Sequence, residues 1–184
     1  TDVWSNSPAI AGRGVYDPDQ WAVVYKYSSV NIPANTTVTF SNHPAMAPVV
    51  WLVSGNVTIN GSINLSGEDE TPFGTLRLAR GGPGGFRGAM GYFTGLTPGN
   101  GAAFGPGAAI GGTAGAGSYS STGDVDFRYT FFVGSTYGNA AVIPLIGGSG
   151  GLTSNDCSGP GGGGAILICA SGSIIANGQI LARG

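Results

Sequence analysis

The chain holds one histidine, His43, inside the stretch SNHPAMAP. A conventional hydrolytic triad needs an imidazole base held by a third group, and no second histidine is present to build a variant of it. Its proline-flanked context reads as a turn between strands, with the imidazole at the surface or partly buried. Carboxylates occur at Glu68-Asp69-Glu70, at Asp17 and Asp19, and at Asp124 and Asp126. Two carboxylates facing one groove can cleave a glycosidic bond, but nothing in this spacing favours such a pair. The acidic triplet follows a Ser66-Gly67 corner, where a solvated loop is expected. Calcium takes carboxylates and loop carbonyls, yet neither the EF-hand pattern nor the calcium-binding nonapeptide pattern is present. Runs such as GGPGGF and GPGGGG lack the Lys-Ser/Thr of a phosphate loop. The expectation is a non-enzymatic chain with no catalytic residue, no metal and no cofactor.

Cys157 and Cys169 form an even pair. In an oxidising compartment they suggest a disulfide that fastens the Gly-rich loop at 158–164 to the strand after it. The alternative is two separate thiols, with Cys169 a small core residue. Without neighbouring histidines the pair makes no zinc site. Aromatic residues fall into groups: Trp4; Trp21 with Tyr25 and Tyr27; Tyr92 with Phe93. Such rings can stack on sugars or on a partner chain, although core packing is the plainer reading for Trp21 and Trp51. Trp4 lies in an N-terminal arm, residues 1–20, whose apolar anchors Val3, Trp4 and Ile10 suit strand addition onto a neighbouring subunit; docking back onto its own domain is the alternative. Asn35, Asn56, Asn60 and Asn64 each open an Asn-X-Ser/Thr triplet, a glycan acceptor only in a eukaryotic secretory pathway.

The elements that must carry these residues are strands. Charged residues make up only 9% of the 184, while hydrophobic ones reach 41% and glycines number 36. Disordered chains are polar and highly charged, and collagen requires a strict Gly-X-Y period, so neither class fits. A net charge of −2 with no basic cluster argues against nucleic acid as a partner. No apolar run approaches the roughly 20 residues needed for a membrane span, so no membrane insertion is expected. The first residue is Thr1, as in a mature exported chain, and Ser, Thr and Asn supply the polarity. Localisation is therefore expected to be extracellular or at the cell surface.

No stretch carries apolar residues at helical spacing without a glycine or proline interrupting it. Strand signals recur at 21–27, 30–40, 49–53, 57–65, 75–79 and 127–133. The segment VVWLVSGNVTINGSINLSG, 49–67, realigns without gaps on ILICASGSIIANGQILARG, 166–184, with Ser54/Ser171, Gly55/Gly172, Asn60/Asn177, Gly61/Gly178, Ile63/Ile180 and Gly67/Gly184 identical. A shorter echo is VNIPANTTVTF. Each unit reads as strand, Ser-Gly corner, strand, Asn-Gly corner, strand. Asn-Gly can close a hairpin or turn a corner in a coil of stacked rungs. One face of each unit is apolar and must be covered by stacking. The expected fold is one all-β domain over 1–184, a β-solenoid (β-helix-like) or a β-sandwich of two related halves. A Gly-rich insertion at 81–118 is interleaved with Phe86, Met90, Tyr92, Phe93, Leu96 and Phe104, and is expected to pack in order rather than act as a linker, because glycine lets backbones approach closely.

The order of signatures IPANTTVTF, PVVWLVSGNVTINGSINLSG, GGPGGF, PLIGGSGG and GGGGAILICASGSIIANGQILARG resembles a group of exported, glycine-rich bacterial surface proteins that often carry a C-terminal sorting signal. It covers most of the chain from residue 30 onward. The resemblance implies a β-helical fold, secretion, surface display and assembly into extracellular fibres. The chain ends at Gly184 without the group's Gly-rich extension or sorting signal, which points to a free, polymerising subunit. Low charge suits dense packing of copies. The leading expectation is thus a structural filament or surface-layer subunit, a homopolymer whose partner is itself. A carbohydrate-binding adhesin with glycans as partners is the alternative, and a β-helical polysaccharide-cleaving enzyme a third.

Overall fold

The computed structural model describes residues 22–41, 43, 46–69, 71, 78–90, 103–108, 116–123, 134–138, 141–142, 145–153 and 158–184. Strands there are β1 (Val23–Tyr27), β2 (Val30–Ile32), β3 (Thr37–Thr39), β4 (Val49–Val53), β5 (Val57–Ile59), β6 (Ser62–Asn64), β7 (Ala89–Met90), β8 (Leu152–Thr153), β9 (Ile166–Ala170), β10 (Ile174–Ala176) and β11 (Gln179–Leu181). The described part is all-β without a helix, and among the described residues no helix is long and apolar enough to cross a membrane. This follows from short β-branched runs punctuated by Ser, Gly and Asn, which supply strands and corners but no helical stripe.

Three sheets have the orders β1-β4-β9, β2-β5-β10 and β3-β6-β11, and every pairing in them is parallel. Each of three segments, 23–39, 49–64 and 166–181, therefore contributes one strand to each sheet, with 49–64 in the middle. The realigned pairs lie side by side: Val49 beside Ile166, Val57 beside Ile174 and Ile63 beside Ile180. The echo at VNIPANTTVTF is the end of a third such segment, which begins at Val23. Asn60-Gly61 separates strands of different sheets, so it is a corner and not a hairpin. Glycine is required there because a Cβ at Gly61 would run into the carbonyls of Thr36 and Pro33, and one at Gly178 into the carbonyl of Gly61.

Alternate residues of these strands point to one core. Val49, Val57, Ile59 and Ile63 are fully enclosed, with Val23, Tyr25, Ile32, Trp51, Val53 and Leu65 around them. Each such side chain contributes about 1.5–3 kcal/mol by leaving water. Trp51 is flanked by Tyr27, edge-on at 5.8 Å, and by Phe40 at 6.1 Å. Its indole Nε1 is buried with no hydrogen-bond partner among the described residues, so ring packing holds this side chain.

Beyond the strands, the glycine tracts pack backbone against backbone. Gly82 N–H donates to Gly162 O at 2.9 Å, Gly162 N–H to Phe86 O at 2.8 Å, Phe86 N–H to Gly148 O at 3.0 Å and Gly148 N–H to Gly163 O at 2.7 Å. The bursts at 81–85, 147–151 and 159–164 thus lie together, and most of their glycines are buried. A Cβ on Gly162 would meet the carbonyl of Gly148, and one on Gly159 that of Gly151. Polar side chains tie neighbouring loops to this bundle: Ala79 N–H donates to Ser158 Oγ at 2.8 Å and Gly107 N–H to Ser149 Oγ at 2.9 Å. Burial of this kind satisfies backbone groups that a loose linker would leave to water.

Candidate functional site

The site begins with a contrast between equivalent residues. In the middle segment Val57 and Ile63 are fully buried, because strands cover them on both sides. Their neighbours Ile174 and Ile180 carry the same pattern one strand further out, yet are 49% and 47% exposed. Ile175 and Leu167 are exposed as well. Among the described residues no strand pairs with the far side of β9, β10 or β11. Backbone donors and acceptors on that side have no ladder, which makes it a template for further pairing.

Next to this edge an apolar cleft of about 760 Å³ opens between the third segment and the glycine bundle. Leu65, Leu145, Ile146, Ile166, Ile180 and Ala182 line it, together with backbone of 147–149 and 162–164. Tyr119 is the one ionisable side chain in its lining among the described residues. Nearby, Tyr137 donates from its hydroxyl to Gly147 O at 2.6 Å and accepts from Ser149 Oγ at 3.1 Å. Burial pushes the Tyr137 phenol above its usual range, so this group stays a neutral structural tie. Ser118, Ser149 and Thr153 are the other polar side chains in the cleft's described lining.

The residues singled out by type are dispersed. His43 is buried at 6% exposure, and that burial holds its imidazole below the usual histidine range. The turn histidine is therefore more enclosed than its loop context suggests, with Met46 N–H donating to its backbone carbonyl at 2.8 Å. Glu68 is tied to neighbouring backbone: its carboxylate accepts from Arg80 N–H at 2.9 Å and its carbonyl from Gly161 N–H at 2.9 Å. Asp69 is exposed. Asp17, Asp19, Glu70, Asp124 and Asp126 lie outside the described residues. No group of three His, Cys, Asp or Glu that could hold a metal occurs among the described residues.

Cys169 is exposed on β9 with a free thiol, beside Leu52 in register. Its expected disulfide partner Cys157 lies outside the described residues, as do the arm anchors Val3, Trp4 and Ile10 and the aromatics Trp21, Tyr92 and Phe93. Tyr25 and Trp51 are core residues. Asn56 Oδ1 accepts from Ser173 N–H at 3.0 Å, Asn177 Nδ2 donates to Asn60 Oδ1 at 2.9 Å, and Asn64 Oδ1 accepts from Ser66 N–H at 2.9 Å. Asn56, Asn60 and Asn177 thus tie neighbouring segments at corners, whereas the Asn64 bond is local to its own segment. What residue-type reasoning missed is Ile174 and Ile180. Nothing local distinguishes them from Val57 and Ile63; only their edge position among the described strands does. Comparison with family models, with curated proteins and with solved structures gave no match.

Proposed function

We propose that the three segments are turns of a β-solenoid and that the chain is a non-enzymatic structural subunit of an extracellular filament or cell-surface assembly. In this reading, copies polymerise head to tail through strand edges. The observation that supports it is the half-exposed pair Ile174 and Ile180, whose equivalents Val57 and Ile63 are fully buried. An uncovered end with apolar interior positions is a heterologous contact, and such contacts propagate when they do not close. Low charge supports the same reading, since little repulsion opposes contact between copies. Negative-stain microscopy of the purified chain across a concentration series tests it. Filaments or extended arrays that grow with concentration are expected. A monodisperse monomer at every concentration would reject the proposal.

A further inference from the structure

We infer that the edge β9-β10-β11 of one copy is covered by the edge β1-β2-β3 of a second copy, in the register that already joins the segments within one chain. This rests on the filament reading and deepens it by naming the two surfaces and their alignment.

Strands β4-β5-β6 pair with β1-β2-β3 on one side and with β9-β10-β11 on the other. The third segment shares Ser54/Ser171, Gly55/Gly172, Asn60/Asn177, Gly61/Gly178 and Ile63/Ile180 with the middle one. It therefore presents outward nearly the same surface that the middle segment presents to it. A suitable occupant must offer three short parallel strands with corners between them at the same places. The segment 23–39 of another copy does, because that segment already matches β4-β5-β6 in register within the chain. Among the described residues no strand occupies its outer side. Asparagine recurs at the second corner in all three: Asn35 precedes Thr36 and β3, as Asn60 and Asn177 precede Gly61 and Gly178. The interaction joins surfaces with almost no charge, since residues 166–182 carry none and residues 22–41 only Lys26. An acidic or basic partner would find nothing to pair with. Stacking would continue all three sheets across the junction and cover Ile174 and Ile180.

The register makes one sharp prediction. Within a chain, Lys26 lies beside Leu52, and Leu52 beside Cys169. Lys26 and Cys169 are thus two strands apart, roughly 10 Å, beyond the Cα separation that a disulfide spans. Across the inferred junction, the second copy's Lys26 would stand directly beside Cys169, within disulfide reach. All three positions are on the exposed face.

The experiment uses the full chain with Cys157→Ser, carrying either Lys26→Cys or Val24→Cys. Assembled protein is oxidised and run on a non-reducing gel. Lys26→Cys is expected to give a ladder of dimers, trimers and longer species, at least tenfold above the Val24→Cys control. A two-fold symmetric contact would stop at dimers and would overturn the inference. Filaments with no Lys26→Cys ladder would also overturn it while leaving the filament reading intact. A ladder from Val3→Cys or Ile10→Cys in its place would assign the edge to the N-terminal arm and overturn it as well. A Lys26→Cys ladder in a preparation that forms no filaments would uphold the junction and reject the filament reading. Protein that neither crosslinks nor assembles rejects both.

Discussion

At the scale of single residues, two ionisable side chains are built into the packing, His43 by burial and Glu68 by its bond to Arg80 N–H. His43 is the clearest case, since burial favours its neutral form. Between the ordinary histidine value of about 6.5 and the lowered folded value, the unfolded chain binds more protons than the folded one. Stability is then complete above that window and falls as pH drops through it. His43→Gln removes the titration, so the loss of thermal stability between about pH 7.5 and about pH 5 should shrink. An unchanged pH slope in the variant would reject this role. The placement of His43 in a turn was readable from SNHPAMAP, but its enclosure was not. Burial depends on what crosses over the turn, and no local pattern reports that.

Among the elements, the glycine tracts are held by carbonyls that stand where side chains would otherwise be. Gly162 and Gly148 make a direct comparison. A Cβ at Gly162 would collide with the carbonyl of Gly148, whereas one at Gly148 would find its nearest neighbour, Gly163 N, at 3.1 Å. Gly162→Ala should therefore cost about 1–3 kcal/mol and Gly148→Ala less than half of that, read as shifts in denaturation midpoint with an unchanged slope. Equal costs would mean that the bundle yields to a methyl group anywhere. Sequence pattern alone pointed to glycines used for close approach, because interleaved apolar residues, scarce serine and bursts abutting strands argued against a linker. Which glycine faces which carbonyl was illegible, since these contacts join residues far apart in the chain. The repeat shows the same limit. Segments 49–67 and 166–184 align without gaps and were plain to see. The segment from Val23 has Ser28-Ser29 where the next has Ser54-Gly55-Asn56, and Pro33-Ala34-Asn35-Thr36 where the next has Asn60-Gly61. Both length changes fall at corners between sheets, which absorb them without shifting the strand register, and they hide all but the short echo.

For the molecule as a whole, the decisive property is the difference between its middle and its end. One apolar pattern is buried at 57–63 and exposed at 174–180, so the candidate site could not be read from residue types. It follows from which described segments have a strand on both sides. Nearly uncharged edges also set the response to salt. Raising ionic strength from about 0.1 M to about 1 M shortens the screening length from about 10 Å to about 3 Å, which dissolves contacts held by charge. Assembly measured by sedimentation should persist or increase over that range, and sulfate should promote it further. Dispersal by salt would show that ion pairs join the copies.

The Asn60–Asn177 contact joins positions 117 residues apart, because the whole glycine bundle is inserted between two adjacent strands of one sheet. Synthesis therefore completes β6 long before its neighbour β11 exists. Closing so long a loop delays the reward for closing it, and folding should be slow for a chain of this size. During that wait the freshly made β4, with its apolar VVWLV face, is an open strand with its later neighbour missing. Until β9 pairs with it, that edge of β4 is open to any other unpaired strand.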